Sequence, residues 1–406
     1  MASKRMIRLL YITTVPVTLG FLIDHIAYMQ NKGFGVSVLS SPDSGLSEFG
    51  NRQGIPVYGV PMRRHFSPGH DLIALARLIY YLVCTRPHIV HVLTPKAGLL
   101  GMLSAWLTRV PVRVYHIVGL RYETETGFRR RMLIWSEKIA CACAQQVICV
   151  SHSLEEIVIE SGLCKPAKIS VPGNGSVNGV DAVGKFNPAS IEKDTQLRVR
   201  ESANIPVGAL VLGYVGRIVR DKGIHELAEA WATLREQVPN LHLLVIGSFE
   251  PQDPVSSHVH EVFKNDPRVY LAGFVADTPP LYMTMDVLAL PTYREGFGNV
   301  VIEAGAMVIP VVGTRVTGCV DAIVDGVTGT LVPARDAKSL TSATHRYLMN
   351  PELRQRHGKA ARERVLQDFQ QEPIWDAVYQ VYLELLHKQG VSAQPAEQGS
   401  PINVLK

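Results

Sequence analysis

Two glutamates flank a glycine-rich turn in the second half of the chain. Glu295 and Glu303 stand on either side of residues 296–300. The apolar run 287–290 before them predicts a buried strand, and the pattern after them predicts a helix whose first turn is capped by Asn299. A strand, a glycine turn and a helix leave free backbone N–H groups at a positively polarised helix end, where a phosphate can bind.

The two carboxylates indicate what else such a ligand carries. Carboxylates repel phosphate, so Glu295 and Glu303 are expected to accept hydrogen bonds from hydroxyl groups. A ligand with phosphate in the middle and hydroxyls at both ends is a nucleotide sugar. A glycosidase acid and nucleophile pair is the poorer interpretation, because a phosphate-binding turn between the carboxylates has no purpose in hydrolysis.

A basic loop supplies countercharge for a phosphate ligand. Arg217 and Lys222 follow a predicted strand, on a loop bounded by Gly216 and Gly223. Two cations there can neutralise a diphosphate and its leaving charge. Because the chain has no Asp-x-Asp motif to clamp a diphosphate through a metal, we predict that no metal or other cofactor is used. Taken alone, the loop also fits a solvated basic turn.

Composition bounds the class of protein. The chain has 406 residues, 47% of them hydrophobic and 19% charged, which predicts two to three folded domains and excludes a disordered protein. The net charge of +5 fits anionic small ligands or a membrane surface. Scattered basic residues without a recognised binding module argue against nucleic acid. The six cysteines lie in apolar segments without Cys-x-x-Cys spacing, as expected of free thiols in a reducing, cytoplasmic compartment.

The N-terminus imitates a signal peptide, with basic residues before an apolar run. Threonines and Pro16 interrupt that run and Asp24 follows it, so we expect no secretion. The chain contains no stretch of 18 consecutive apolar residues and is not expected to span a membrane.

Strands alternate with helices twice, and the pattern lapses between residues 173 and 201. This alternation predicts an α/β protein with two Rossmann-like parallel-sheet domains. We assign residues 1–186 to the first domain and 187–370 to the second. A C-terminal helix is predicted over 371–389, and 390–406 are expected to form a flexible tail.

Several short motifs occur along the chain, in the order Gly173-Asn174-Gly175, Asn178-Gly179-Val180-Asp181, Gly216-Arg217, Lys222-Gly223, Gly247, Gly273-Phe274-Val275, Glu295 to Asn299, Glu303 and Gly329. This order resembles a known family, the retaining glycosyltransferases of family 4, which have the GT-B fold with two domains facing across a cleft. The resemblance implies that residues 1–186 bind the acceptor, that 187–370 bind the donor, and that the helix 371–389 packs back on the first domain. The likeness is greatest to bacterial enzymes that build capsule, O-antigen or lipid-linked oligosaccharide.

The resemblance implies roles for particular residues. Arg217 and Lys222 would stabilise the departing diphosphate, Glu295 would contact the transferred sugar, and Glu303 would hold the ribose. Donor-binding positions implied in the same way are Gly20, Gly216, Gly247, Phe274, Gly296, Phe297, Gly298, Asn299, Val300 and Glu303.

The first half departs from the family pattern. Relatives often have two glycines in the turn after the first strand, and here Leu19 precedes Gly20, which is predicted to open a helix from Phe21 to Asn31. Relatives also have histidine directly before the glycine at position 119, where this chain has Val118. His116 either points toward the cleft or is a core histidine. Lys96 and Arg121 either meet an acceptor phosphate or are surface cations.

Two basic and aromatic clusters suit contact with an anionic membrane. One is Arg129-Arg130-Arg131 followed by Met132 to Trp135, and the other is Arg63 to Phe66. The alternative is that the apolar residues are helix core and the arginines a solvated face.

We therefore predict transfer of a sugar from a nucleoside diphosphate, UDP, to a polyprenyl-diphosphate-linked sugar in bacterial surface polysaccharide synthesis. The enzyme would be cytoplasmic, in peripheral contact with the membrane. Two alternatives remain open: an epimerase acting on UDP-N-acetylglucosamine, and a non-catalytic sugar-nucleotide binding subunit.

Overall fold

The computed structural model describes residues 6–63, 65–192, 194–250 and 253–391. Its described chain divides into two compact units. The first contains the chain up to Cys149, Glu155–Pro172 and the chain from Trp375 onward. The second contains Val150–Leu154 and Gly173–Ile374.

The first unit is built on a parallel sheet with the strand order β3-β2-β1-β4-β5-β6-β7. Its strands are β1 (Ile7–Ile12), β2 (Phe34–Ser40), β3 (Val57–Gly59), β4 (Ile89–Leu93), β5 (Val112–Ile117), β6 (Gln146–Cys149) and β7 (Ile169–Ser170). The connecting helices are α1 (Ile23–Asn31), α2 (Ser44–Gln53), α3 (Pro68–Thr85), α4 (Pro95–Leu107), α5 (Gly127–Cys143) and α6 (His152–Glu160), the last of which begins in the second unit. Short 3₁₀ helices cover Pro16–Leu22, Arg121–Thr124 and Pro166–Lys168.

The second unit is built on a parallel sheet with the order β10-β9-β8-β11-β12-β13. Its strands are β8 (Leu210–Val215), β9 (Leu241–Ile246), β10 (Val269–Gly273), β11 (Val287–Leu290), β12 (Val311–Thr314) and β13 (Gly329–Val332). Its helices are α7 (Thr195–Ser202), α8 (Ile224–Gln237), α9 (Ser257–Asn265), α10 (Pro279–Tyr282), α11 (Asn299–Ala306), α12 (Cys319–Ala322), α13 (Ala337–Met349) and α14 (Pro351–Asp368), with 3₁₀ turns at Pro188–Ser190 and Arg220–Lys222.

Burial explains why the apolar runs form strands. Every residue of β9 and of β11 is buried, as expected where helices cover both faces of a parallel sheet. In the second sheet, β9 and β10 lie on one side of β8, and β11, β12 and β13 lie on the other. The strand order therefore reverses at the neighbouring strands β8 and β11. Such a reversal places the loops after both strands at one crevice beyond their carboxyl ends, the usual ligand position in open α/β sheets. The predicted fold class, two Rossmann-like parallel sheets, is confirmed.

A last helix, α15 (Gln371–Lys388), begins in the second unit and continues in the first. Val378, Tyr379 and Tyr382 belong to the core of the first unit, together with Ile26 of α1 and Val36 of β2. The Tyr382 hydroxyl contacts a ring nitrogen of His91. The apolar face of this helix is therefore buried against the first sheet.

The chain before Thr195 departs from the predicted organisation. Residues 173–186, which the sequence analysis places in the first domain, pack with the second unit. The backbone N–H of Val180 donates to Phe369 O at 2.9 Å, and Arg362 donates to Ala182 O at 3.3 Å. These hydrogen bonds to the end of α14 are long-range contacts that local composition does not encode.

The predicted helix from Phe21 to Asn31 is shorter than expected. Its first residues belong to the 3₁₀ helix Pro16–Leu22, and α1 begins at Ile23. Gly20 therefore lies inside a 3₁₀ helix and does not open the α-helix. The structure also contains α2 and α7, for which the sequence pattern predicts no helix. Among the described helices, none is long and apolar enough to cross a bilayer.

Candidate functional site

The loop after β8 reaches the end of β11 through a backbone contact. Gly223 has a φ of 68°, in the left-handed region, and a Cβ built there would lie 1.9 Å from the carbonyl oxygen of Pro291. Backbone N–H of Tyr293 donates to Asp221 O at 2.9 Å, and the Thr292 hydroxyl donates to the same oxygen at 3.2 Å. The loops that follow β8 and β11 are thus held together by backbone contacts and by the Thr292 hydroxyl.

This backbone contact brings two predicted catalytic residues together. Lys222 Nζ forms an ion pair with Glu295 Oε1, and their side chains are 18% and 15% exposed. The pair lies 73 positions apart in sequence. A cation for phosphate and a carboxylate for hydroxyls therefore sit side by side at the carboxyl ends of β8 and β11.

Arg217, the other predicted cation, has a different partner. Its Nη1 lies 3.0 Å from Glu250 Oε2, and more than half of its side chain is exposed. The Tyr214 hydroxyl donates to Arg217 O at 2.8 Å and fixes the backbone where the loop leaves β8. The guanidinium is therefore available for exchange from Glu250 to an anionic ligand.

Three of the predicted glycine positions meet at neighbouring strand ends. Gly216 N donates to Ile246 O at 2.9 Å, and Gly247 N donates to Gly273 O at 2.8 Å. Phe274, which follows β10, has a side chain that is 77% exposed. The structure leaves this aromatic ring open to a ligand, and the donor-binding role of this position stays a prediction.

The glycine turn after Glu295 is clamped from two sides. A Cβ on Gly318, whose φ is 75°, would lie 2.5 Å from the carbonyl carbon and oxygen of Gly296. The Ser151 hydroxyl donates to Gly296 O at 2.6 Å. Phe297 is buried, with its ring centroid 5.2 Å from that of Phe369. The turn therefore has a single position set by packing.

Asp321 holds the outer part of this clamp. Its carboxylate accepts from the backbone N–H of His152 at 3.0 Å and contacts the Ser153 hydroxyl. Ser153 Oγ in turn accepts from the backbone N–H of Gly318 at 2.8 Å. The roles of Ser151 and Ser153 are not visible in the sequence, because nothing local links them to residues more than 140 positions away.

The prediction that Asn299 caps α11 is wrong. Gly298 takes the N-cap position in the left-handed conformation, with a φ of 84°, and Asn299 is the first helical residue. The Asn299 side chain instead accepts from the Ser176 hydroxyl at 3.1 Å. Half-buried Val300 follows it. The backbone N–H of Val301 donates to Gly298 O at 2.9 Å, and the positive end of the helix dipole, at residues 299 and 300, remains suited to an anion.

Glu303 lies one turn further along α11 and is half-buried. It accepts a hydrogen bond from the Tyr282 hydroxyl at 2.8 Å. Burial raises the pKa of Glu303 to about 7, against smaller lowering effects of Tyr282 and of the charge on Lys185. A carboxylate desolvated in this way gains from further hydroxyl donors. Tyr282 was not identified from the sequence.

Histidine 116 is a core histidine. It is buried, its Nδ1 lies 3.2 Å from His91 Nε2, and burial lowers the pKa of His116 to about 3. Lys96 donates to both carboxylate oxygens of Asp71 at 2.6 Å. Gly20 lies in the first unit, whereas every other predicted donor-binding residue lies in the second.

Two family models match the chain. "Glycosyl transferase 4-like domain" matches residues 24–175, and "Glycosyl transferases group 1" matches residues 196–364. The "Capsular polysaccharide biosynthesis glycosyltransferase CapM" of Staphylococcus aureus is 35% identical over 92% of this chain and 96% of its own length.

Two more distant proteins extend these matches. An Escherichia coli protein named "UDP-Gal:alpha-D-GlcNAc-diphosphoundecaprenol alpha-1,3-galactosyltransferase" is 24% identical over 88% of this chain and 91% of its own. The crystal structure of Anabaena HepE in complex with UDP has a TM-score of 0.76 at 19% identity, covering 93% of this chain and all of that one, and shows the same GT-B fold.

Fold, glycine turn and matched domains together define a glycosyltransferase. The chain belongs to the GT-B glycosyltransferases that join a 4-like domain to a group 1 domain, and the family predicted from the motifs is confirmed.

Proposed function

We propose that this glycosyltransferase moves a sugar from a UDP-sugar to a hydroxyl of a polyprenyl-diphosphate-linked sugar, with retention of the anomeric configuration. The observation that carries the proposal is the contact of Lys222 with Glu295 beside the glycine turn at the start of α11. One side chain matches the diphosphate of such a donor and the other matches its sugar.

The ion pair suits exchange with a donor. Holding Lys222 and Glu295 largely away from water costs desolvation energy that their attraction offsets. A nucleotide sugar offers each of them a replacement partner: phosphate oxygens for the ammonium, and sugar hydroxyls for the carboxylate. Neither charge is then left unpaired when the donor is bound.

The remaining donor contacts follow from position. Backbone N–H groups at the start of α11 would receive the β-phosphate, and Arg217 would leave Glu250 to bind the same diphosphate. Glu303 would accept the ribose hydroxyls beside Tyr282. The choice of UDP is supported by the donor named for the Escherichia coli relative and by the UDP bound to the Anabaena protein.

Chemistry at this site needs no protein nucleophile. The acceptor hydroxyl oxygen attacks the anomeric carbon from the side of the departing diphosphate. The bond between that carbon and the diphosphate oxygen breaks, its electron pair stays with the diphosphate, and the acceptor proton moves to a phosphate oxygen. Lys222 and Arg217 stabilise the charge that develops, in place of a divalent metal.

The lipid-linked acceptor is supported by the relatives. CapM is named for capsular polysaccharide biosynthesis, and the Escherichia coli relative for a diphosphoundecaprenol-linked sugar. An acceptor of this kind lies in a membrane, so the proposal includes peripheral contact with the inner face of the cell membrane.

Release of UDP tests the proposal. The purified protein is incubated with a panel of sugar nucleotides, with and without bacterial lipid extract, and UDP is measured. Release from one donor that depends on the extract supports a transferase. Release or isomerisation without extract indicates an epimerase instead. Donor binding without turnover under any condition indicates a binding subunit and would overturn the proposal.

A further inference from the structure

Three helices on the first unit turn apolar side chains outward. On α3, Ile73 and Tyr80 are exposed, the tyrosine by 73%. On α4, Trp106 is exposed, and on α5, Phe128 and Trp135 are exposed by 73% and 67%. The outer side of a helix in a water-soluble unit normally carries polar residues, so three such helices call for an explanation.

Four of the exposed residues of α5 lie along one side of the helix. Phe128, Arg131, Trp135 and Ile139 are spaced by three, four and four residues, which places them on the same face at 3.6 residues per turn. All four are exposed. In the helix layer, α3 contacts α4 and α4 contacts α5, so the outward apolar side chains belong to neighbouring elements.

The charge exposed by these helices is positive. Arg77 on α3 and Arg129, Arg130 and Arg131 on α5 are exposed. Within the described ranges of α3, α4 and α5, no carboxylate is exposed, because Asp71 pairs with Lys96 and Glu137 is buried. Three helices whose exposed charged side chains are all positive, beside exposed apolar ones, are complementary to an anionic surface with an apolar interior.

We propose that the outer faces of α3, α4 and α5 dock on an anionic lipid bilayer, an inference that rests on the proposed lipid-linked acceptor. Tryptophan, tyrosine and phenylalanine side chains enter the headgroup region, and the arginines bind lipid phosphates. Pairing of this surface with a second copy of the chain is disfavoured, since a two-fold interface would bring arginine clusters of like charge together.

Vesicle sedimentation tests the surface without donor or acceptor. The full-length protein is mixed with vesicles of phosphatidylglycerol and phosphatidylcholine, or of phosphatidylcholine alone. We expect binding to the anionic vesicles, weakened by added salt. Trp135→Gln combined with Ile139→Gln removes apolar surface without changing the net charge and is expected to weaken binding roughly tenfold or more. Val207→Gln, at an exposed apolar position of the second unit, is the matched control and keeps wild-type binding.

A second variant separates charge from apolar contact. Because each cation near the surface contributes about a fivefold gain in partitioning, Arg129→Gln combined with Arg131→Gln should weaken binding roughly 25-fold. Binding that remains in the Trp135/Ile139 variant should still weaken when salt is added, whereas binding that remains in the Arg129/Arg131 variant should respond less to salt than wild-type binding does.

Three results would overturn the inference. The wild-type protein does not sediment with anionic vesicles, or the Trp135 variant sediments like wild type, or gel filtration shows a dimer that this variant abolishes. UDP binding is measured on the same variants. If the wild-type protein binds vesicles but transfers no sugar, the proposed function is refuted and the docking surface stands. If it transfers sugar to a water-soluble acceptor but does not bind vesicles, the docking surface is refuted and the function stands.

Discussion

A Cβ on residue 223 would lie 1.9 Å from the carbonyl oxygen of Pro291, so the space beside Gly223 has no room for a side chain. This contact joins the loop that carries Lys222 to the loop that carries Glu295. Since Gly223 also has a positive φ, a side chain there is opposed by both strain and overlap.

Gly223→Ala is expected to lower the free energy of unfolding by on the order of 2 kcal/mol and to reduce sugar transfer, because the two loops must separate. Urea unfolding and donor turnover measure both effects. Gly208→Ala is the control, because Gly208 also has a positive φ but has nothing within 4 Å of an added Cβ. Equal effects of the two substitutions would mean that the contact with Pro291 is unimportant.

Glu295→Ala is expected to reduce transfer by roughly a hundredfold or more, because it removes the proposed contact to the transferred sugar near the reacting carbon. The fold should remain, with some loss of stability from the unpaired Lys222. Steady-state kinetics and thermal unfolding distinguish the two effects. Glu192→Ala, in an exposed ion pair with Arg198, is the control. Turnover like that of wild type would refute the assigned role of Glu295.

Glu303 is expected to make UDP binding depend on pH. The pKa of Glu303 is raised to about 7, so the carboxylate form, which we propose accepts the ribose hydroxyls, is lost as the pH falls below 7. Affinity for UDP should therefore fall from pH 8 to pH 6. Glu303→Gln should bind more weakly at pH 8 and lose this part of the pH dependence in calorimetric titrations. Glu137→Gln, at a buried carboxyl of the first unit whose pKa is also about 7, should leave the dependence unchanged.

The same shift has the opposite sign for stability. Between the ordinary pKa of 4.5 and the folded value of about 7, the folded state binds more protons than the unfolded state, so the free energy of unfolding falls as the pH rises through this window. The free energy of unfolding of Glu303→Gln, relative to that of wild type, should therefore be greater at pH 8 than at pH 5. A constant difference between the two proteins across that range would contradict the raised pKa.

Gly318→Ala should displace the turn at Gly296 and raise the KM for the donor several-fold, because the new Cβ would lie 2.5 Å from the Gly296 carbonyl group. Gly326→Ala is a close control. Gly326 has the same φ of 75° and open space around an added Cβ. If both variants raise KM alike, the effect comes from backbone strain and the clamp has no part in it.

Much of the architecture was accessible from local pattern. Buried parallel strands are nearly continuous apolar runs, so β9 and β11 are visible in the sequence as such. Gly216, Gly223 and Gly298 mark positions where the backbone turns sharply, and the cations and carboxylates beside them are legible by residue type. The helices α2 and α7 were missed, because their polar sequences resemble loops.

The sequence by itself determined the two α/β halves, the family and the chemical types of Lys222 and Glu295. Only the tertiary structure decided that these two side chains pair, that Ser151 holds the carbonyl of Gly296, and that Tyr282 donates to Glu303. It also gave the cap of α11 to Gly298 instead of Asn299. Local periodicity reports burial along one element, whereas these contacts join residues 21 to 145 positions apart and depend on which strands are neighbours in the sheet.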